Sequence, residues 1–124
     1  MKIYEDENFF IESEISEIPW LKIFTQTSYK ELSDLPKPLR LKLFELYDIV
    51  ELEILSYFKP HKINMASFAN MLPRVHLHVM ARYENDSYFP NSMWGEKQRE
   101  AQLELPSFEL FYEQLQKKLE SFSS

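Results

Sequence analysis

Two histidines separated by one residue, His76 and His78, are the side chains of this sequence best placed to do chemistry. The chain has only 3 histidines, so two of them standing together is a concentration. They lie in the run PRVHLHVMAR, residues 73–82, which alternates polar and apolar residues. As a β-strand, this run puts Arg74, His76, His78, Met80 and Arg82 on one face. Val75, Leu77, Val79 and Ala81 take the other face and can pack on a core. The polar face then presents two imidazoles flanked by two guanidinium groups.

Three chemistries fit such a face. The plainest is a pair of exposed or hydrogen-bonded histidines on a half-buried strand, because an unpartnered buried imidazole costs a few kcal/mol. The second is a shared metal ion, which for zinc needs at least a third ligand. His61 lies outside the strand, and no acidic residue falls at an obvious ligand spacing. The third is nucleophilic catalysis at phosphorus. A neutral imidazole attacks and forms a covalent phosphoramidate, while its neighbour hydrogen-bonds an oxygen of the phosphate. Arg74 and Arg82 could neutralise phosphate charge and, by like-charge repulsion, keep the imidazoles unprotonated.

The elements that must hold this strand follow from the pattern. Asn8 to Glu12 is a short apolar burst that reads as a first strand. Ile18 to Phe24 reads as a second strand, entered through Pro19. The polar stretch 25–35 reads as loop with at most a helical turn. A long helix should run over about 38–58, with proline near its first position. Its main stripe is Leu39, Leu43, Leu46, Tyr47, Val50, Ile54, Tyr57 and Phe58. Leu41, Phe44, Leu52 and Leu55 add a second apolar edge, wider than one sheet face needs. A strand over 62–68, a tight connection at 70–73 and the histidine strand come next. Residues 83–106 read as irregular, and a final helix starts at Ser107 as N-cap. Strands and helices in this order, without βαβ alternation, indicate an α+β domain with an antiparallel sheet.

Composition narrows the class. A chain of 124 residues suits one domain with one core. The net charge of −6 argues against a nucleic-acid polymer as partner, which needs a basic surface. Its one glycine, Gly95, excludes a glycine-rich phosphate loop. Absence of cysteine removes disulfides and cysteine-based zinc sites. No apolar run suggests a signal peptide or a membrane span, so a soluble cytoplasmic protein is expected.

Residues 64–95, NMASFANMLPRVHLHVMARYENDSYFPNSMWG, resemble the signature region of the histidine triad (HIT) superfamily of nucleotide hydrolases and transferases. The resemblance is nearest to a bacterial branch that lacks the first triad histidine. Its core is His76-x-His78 followed by Val79 and Arg82, with Asp86, Pro90 and Trp94-Gly95 beyond. Pro19-Trp20-Leu21 and residues 31–35 fit the same branch in order. The resemblance implies a single HIT-like domain over 1–124, with an about five-stranded antiparallel sheet, one long central helix and a C-terminal helix. It implies a covalent nucleotidyl intermediate on His76, with His78 contacting phosphate oxygen. It assigns Asn64 and Asn70 to the phosphate-binding set, which Arg74 and Arg82 would complete. The implied substrate is a dinucleoside polyphosphate or a nucleoside phosphoramidate, and the alternative is a nucleotide-binding module with little or no catalysis. No cofactor is expected, and a divalent metal only as the substrate's counter-ion. A homodimer is expected, using the spare edge of the long helix. Three positions depart from the family pattern. Arg74 stands where the first histidine would be, Ala69 replaces a glycine, and Thr25-Gln26-Thr27-Ser28 replaces Pro-x-x-His. Asp86 is read as a turn residue, and Trp94 as a cover for the core or a dimer seam.

Overall fold

A computed structural model describes residues 1–123. Strands β1 (Lys2–Glu5), β2 (Phe9–Ser13) and β3 (Trp20–Thr25) come first, followed by a 3-10 turn at Leu32–Asp34. Helix α1 (Lys37–Phe58), strands β4 (Lys62–Ala66) and β5 (His76–Arg82) and helix α2 (Phe108–Ser123) complete the chain. The strands form one sheet in the order β1-β2-β3-β5-β4, and every neighbouring pair is antiparallel. The expected α+β architecture, five strands with a long helix and a C-terminal helix, is what the chain adopts.

Alternation along the strands sorts the side chains into two faces. Phe9, Ile11, Leu21, Ile23, Leu77, Val79 and Ala81 are buried on the helical side. Leu43, Leu46, Val50, Ile54 and Phe58 of α1 and Phe111, Leu115 and Leu119 of α2 close the same core. α1 stops where Lys59 adopts a left-handed conformation, its N–H bonding the Leu55 carbonyl. Ser107 Oγ accepts from the Leu110 N–H and so caps α2, as expected. The second edge of α1, with Leu41, Phe44, Leu52 and Leu55, stays exposed.

Three boundaries differ from expectation. β1 precedes the strand expected to be first. It is an edge strand that buries only Ile3, too short a pattern to stand out, and Gln116 of α2 ties it down through the Ile3 carbonyl at 2.7 Å. β4 ends at Ala66, which frees residues 67–75 to cross the outer face of the sheet. β5 starts at His76, because the Val75 N–H bonds the Tyr29 carbonyl of a loop and the chain has already left the sheet. Arg74 therefore lies before the strand.

The carboxyl end of β5 holds the largest correction. Arg82 was expected to face phosphate, but its residue is 1% exposed. Its Nε and Nη2 donate to the two carboxylate oxygens of Asp86 at 2.9 and 3.1 Å. Its Nη1 donates to Asn64 Oδ1 at 2.8 Å and its Nη2 also to the Asn91 carbonyl at 2.7 Å. Asp86 further accepts from the N–H groups of Tyr83, Tyr88 and Phe89. A bidentate pair with every lone pair filled is the arrangement in which burying two charges is tolerated. The turn reading of Asp86 holds, and the ion pair adds a charge anchor that knots the loop 83–91 to β5.

Burial alone would raise the Asp86 pKa, but the Arg82 guanidinium and three backbone N–H groups outweigh it and hold it below the usual carboxylate range. The pair's stabilisation is thus complete above about pH 4 and is lost as pH falls below that value. Asp86→Ala leaves a buried unpaired guanidinium and should cost about 3–5 kcal/mol in a chemical denaturation measurement at pH 7. A loss under about 1 kcal/mol would show that the pair anchors nothing.

Candidate functional site

The sheet face away from the helices carries the histidines. Pairing between β3 and β5 sets Phe24 opposite His76, Lys22 opposite His78 and Trp20 opposite Met80. Directly opposed residues share a face, so Trp20, Lys22 and Phe24 stand beside the imidazoles. Phe24 stacks on the His76 ring with centroids 4.8 Å apart, and Phe10 of β2 stacks on Phe24 at 4.7 Å. This ladder of rings fixes the plane of the His76 imidazole.

Hydrogen bonds fix the rest. His76 Nδ1 lies 3.1 Å from the backbone carbonyl of Arg74, and His76 Nε2 lies 3.2 Å from His78 Nε2. The indole Nε1 of Trp20 donates to His78 Nδ1 at 3.0 Å. Trp94 packs edge-on against His78, Trp20 and Phe68 with centroids 4.8–5.2 Å apart. Trp94 is half exposed, so it does not cover the core; it walls the site.

Above the imidazoles lies a cavity of about 480 Å³ lined by residues 68–72 together with His76, His78 and Trp94. Phe68, Met71 and Leu72 make an apolar rim, and Met71 is fully exposed. Among the described residues, Asn70 is the amide on its wall. Ala69, in the position of the expected glycine, has φ of 54°. That left-handed conformation costs an L-residue roughly 1–2 kcal/mol. Asn64 lies elsewhere, in a neighbouring cavity of about 330 Å³ beyond Phe68 and Trp94, with its oxygen committed to Arg82.

Arg74 does not aim at the imidazoles. Its Nη2 donates to the carbonyls of Thr25 and Gln26, and its Cζ lies 5.5 and 5.6 Å from the centroids of Phe10 and Phe24. Both arginines that flank the histidines in sequence are thus engaged structurally, and neither lines the cavity. Three site side chains were missed from sequence as partners of the pair: Trp20, Lys22 and Phe24. Their own alternation along β3 was visible, but only the register to β5 shows which histidine each one meets. Lys22 is itself paired with Glu14 at 3.0 Å. Among the described residues, no three His, Asp or Glu side chains converge to hold a metal ion.

Burial, the neighbouring His76 and the Lys22 charge push the His78 pKa down to about 4, against a small opposing effect from Glu14. His78 is therefore a neutral hydrogen-bonding group at pH 7, not an imidazolium.

Solved structures that superpose on this chain include histidine triad proteins. One from Marinobacter aquaeolei VT8 superposes with a TM-score of 0.74 and 24% identity, covering 99% of this chain and 88% of that one. One from Bradyrhizobium japonicum gives a TM-score of 0.79 and 24% identity, covering 95% and 89%. A hypothetical histidine triad nucleotide-binding protein from Sulfolobus tokodaii gives 0.58 and 16%, covering 97% and 80%. At these identities the likeness establishes a shared fold. The chain has the α+β fold of the histidine triad proteins, over nearly its whole length. No protein-family model and no curated protein matches it.

A depressed His78 pKa has a definite sign in stability. The unfolded chain binds the proton near pH 6.5 and the folded chain only near pH 4, so stability falls as pH falls across that window. An NMR titration should place the midpoint of the His78 ring about two units or more below an ordinary histidine. A midpoint at or above 6 would mean that the ring is solvated or charge-paired.

Proposed function

We propose that the chain hydrolyses nucleoside phosphate derivatives through a nucleotide carried covalently on His76. The observation that carries this reading is the placement of His76 Nε2, held on a rigid ring ladder at the floor of an open cavity beside a neutral imidazole. The fold shared with histidine triad proteins, one of them a hypothetical nucleotide-binding protein, supports the same reading.

The lone pair of His76 Nε2 forms a bond to the α-phosphorus as the bond to the leaving nitrogen or oxygen breaks; the leaving atom keeps that electron pair and takes a proton from solvent. His78 Nε2 lets go of His76 and donates to a phosphate oxygen. The imidazole of the intermediate is cationic, and its Nδ1–H points at the Arg74 carbonyl, which stabilises that charge. Water then attacks phosphorus and releases a proton to solvent, the P–N bond breaks, and the electron pair returns to Nε2. The first triad histidine is not needed for the orienting bond, because that bond uses a backbone carbonyl that any residue at position 74 supplies.

Between the two expected substrate classes, the cavity favours the phosphoramidate. Its wall holds no ammonium or guanidinium group, so a polyphosphate chain would bury several charges without a counter-charge. A nucleoside phosphoramidate monoester carries a single charge, and its leaving amine can bring an apolar group to meet Phe68, Met71, Leu72 and Trp94.

Incubation with nucleoside phosphoramidates should release the nucleoside monophosphate. His76→Ala should lower turnover by about 10³-fold or more, as loss of a nucleophile does. Acid-labile label retained on the wild-type chain but not on His76→Ala would identify the adduct. Tight binding of nucleoside monophosphate without turnover or adduct would reassign the chain as a nucleotide-binding module.

The partner we propose is a second copy of the chain, seated on the exposed edge of α1 formed by Leu41, Phe44, Leu52 and Leu55. Sedimentation should give a dimer mass that Leu52→Lys converts to a monomer. A monomeric wild-type chain at tens of micromolar sinks this part alone.

A further inference from the structure

Sequence spacing assigns Trp20 no site role, yet its bond to His78 Nδ1 bears directly on which nitrogen of His78 carries a proton. An indole Nε1–H is a donor and never an acceptor. His78 Nδ1, 3.0 Å away, must therefore present its lone pair, and the proton of the neutral ring is confined to Nε2. That proton faces His76 Nε2 at 3.2 Å, so His76 must offer its lone pair there. The His76 proton is then confined to Nδ1, where it meets the Arg74 carbonyl at 3.1 Å. One donor-only group at the head of the chain and one acceptor-only group at its tail leave a single consistent direction for every bond between them.

We propose that Trp20 is a positioning residue, whose indole N–H sets the tautomers of both imidazoles and so keeps the His76 Nε2 lone pair ready for attack. The inference rests on the hydrolytic reading for its consequence in rate, but not for its tautomer statement. Without the indole donor, the direction is held from the Arg74 end alone, and the Nδ1-protonated form of His78 becomes accessible. It would then turn an unprotonated Nε2 toward His76 and toward phosphate oxygen, where two lone pairs repel.

The surroundings hold Trp20 to this task. Its ring meets the rings of His78 and Trp94 edge-on, at 5.8 and 5.2 Å between centroids, which limits its rotation. Its backbone belongs to β3, in register with β5 through Met80. The bond links residues 58 positions apart in the chain, so it exists only when the β3–β5 pair has formed.

Nitrogen-15 spectra of the histidine rings in the full chain at pH 7 test the statement directly. The wild-type chain should show His78 with a protonated Nε2 and an acceptor-type Nδ1. Trp20→Phe keeps an aromatic ring and removes the donor. It should shift His78 toward the Nδ1-protonated form and lower kcat on a nucleoside phosphoramidate by about 10–100-fold with little change in KM, the range usual for losing an orienting partner. If the phenylalanine variant does not fold, benzothienylalanine at position 20 keeps the bicyclic shape without the N–H and gives the same readout. An unchanged His78 tautomer in a folded variant, or an Nδ1-protonated His78 in the wild-type chain, overturns the proposal. A shifted tautomer in a protein that turns over no substrate upholds the role of Trp20 and removes the hydrolytic reading.

Discussion

The pairing of β3 with β5 is the constraint on which the site depends. It is a central pair, flanked by β2 on one side and β4 on the other, and its inner residues are buried to the last methyl group. Leu21 opposite Val79 and Ile23 opposite Leu77 hold the register from the helical side. A slip of β5 by one residue would move Leu77 and Val79 into water and turn the imidazoles into the core. Because that is prohibitively unfavourable, the outer face is fixed as well. Phe24 must lie against His76, and Trp20 comes within hydrogen-bonding reach of His78. The apolar core thus sets the geometry of the polar site by exclusion.

Charge on the outer face is arranged in an unexpected way. Two arginines flank the histidines in sequence, and neither stands free beside them. Arg82 is buried against Asp86 and anchors the loop after β5, while Arg74 leans over Phe10 and Phe24 and bonds loop carbonyls. Lys22 is balanced by Glu14. What remains at the cavity floor is a pair of imidazoles, of which His78 is held neutral by burial and by its neighbours. A neutral imidazole is a good nucleophile and a good hydrogen-bond donor, but a poor attractor of multiply charged anions. The cavity wall repeats this theme, with apolar side chains from residues 68–72 and the edge of Trp94.

Position 74 illustrates how a side chain can change while a function stays open. The bond that orients His76 is accepted by a main-chain oxygen, which substitution does not remove. The side chain at this position then becomes free to do something else, and here it ties the end of β3 to the approach of β5. Ala69 is the opposite case. Its backbone keeps the left-handed conformation suited to glycine, so the loop that carries Asn70 and Met71 is held there against a local steric cost.

Much of the fold was legible in sequence because it rests on periodicity. The long helix, the histidine strand and the capped final helix have patterns long enough to define themselves, and His76, His78 and Asn70 came with a motif. Edge strand β1 was not legible, since four residues with one buried side chain carry little pattern. The destination of a long polar side chain was not legible either. Period two correctly put Arg82 on the face of the histidines, but a guanidinium goes to its best partner, and Asp86 and Asn64 meet it only in the folded chain. Trp20 is the sharpest instance. Sequence placed it on a strand, yet only the tertiary structure brought its N–H to His78. Local spacing determined which residues share a face, and packing between strands distant in the chain decided which of them touch.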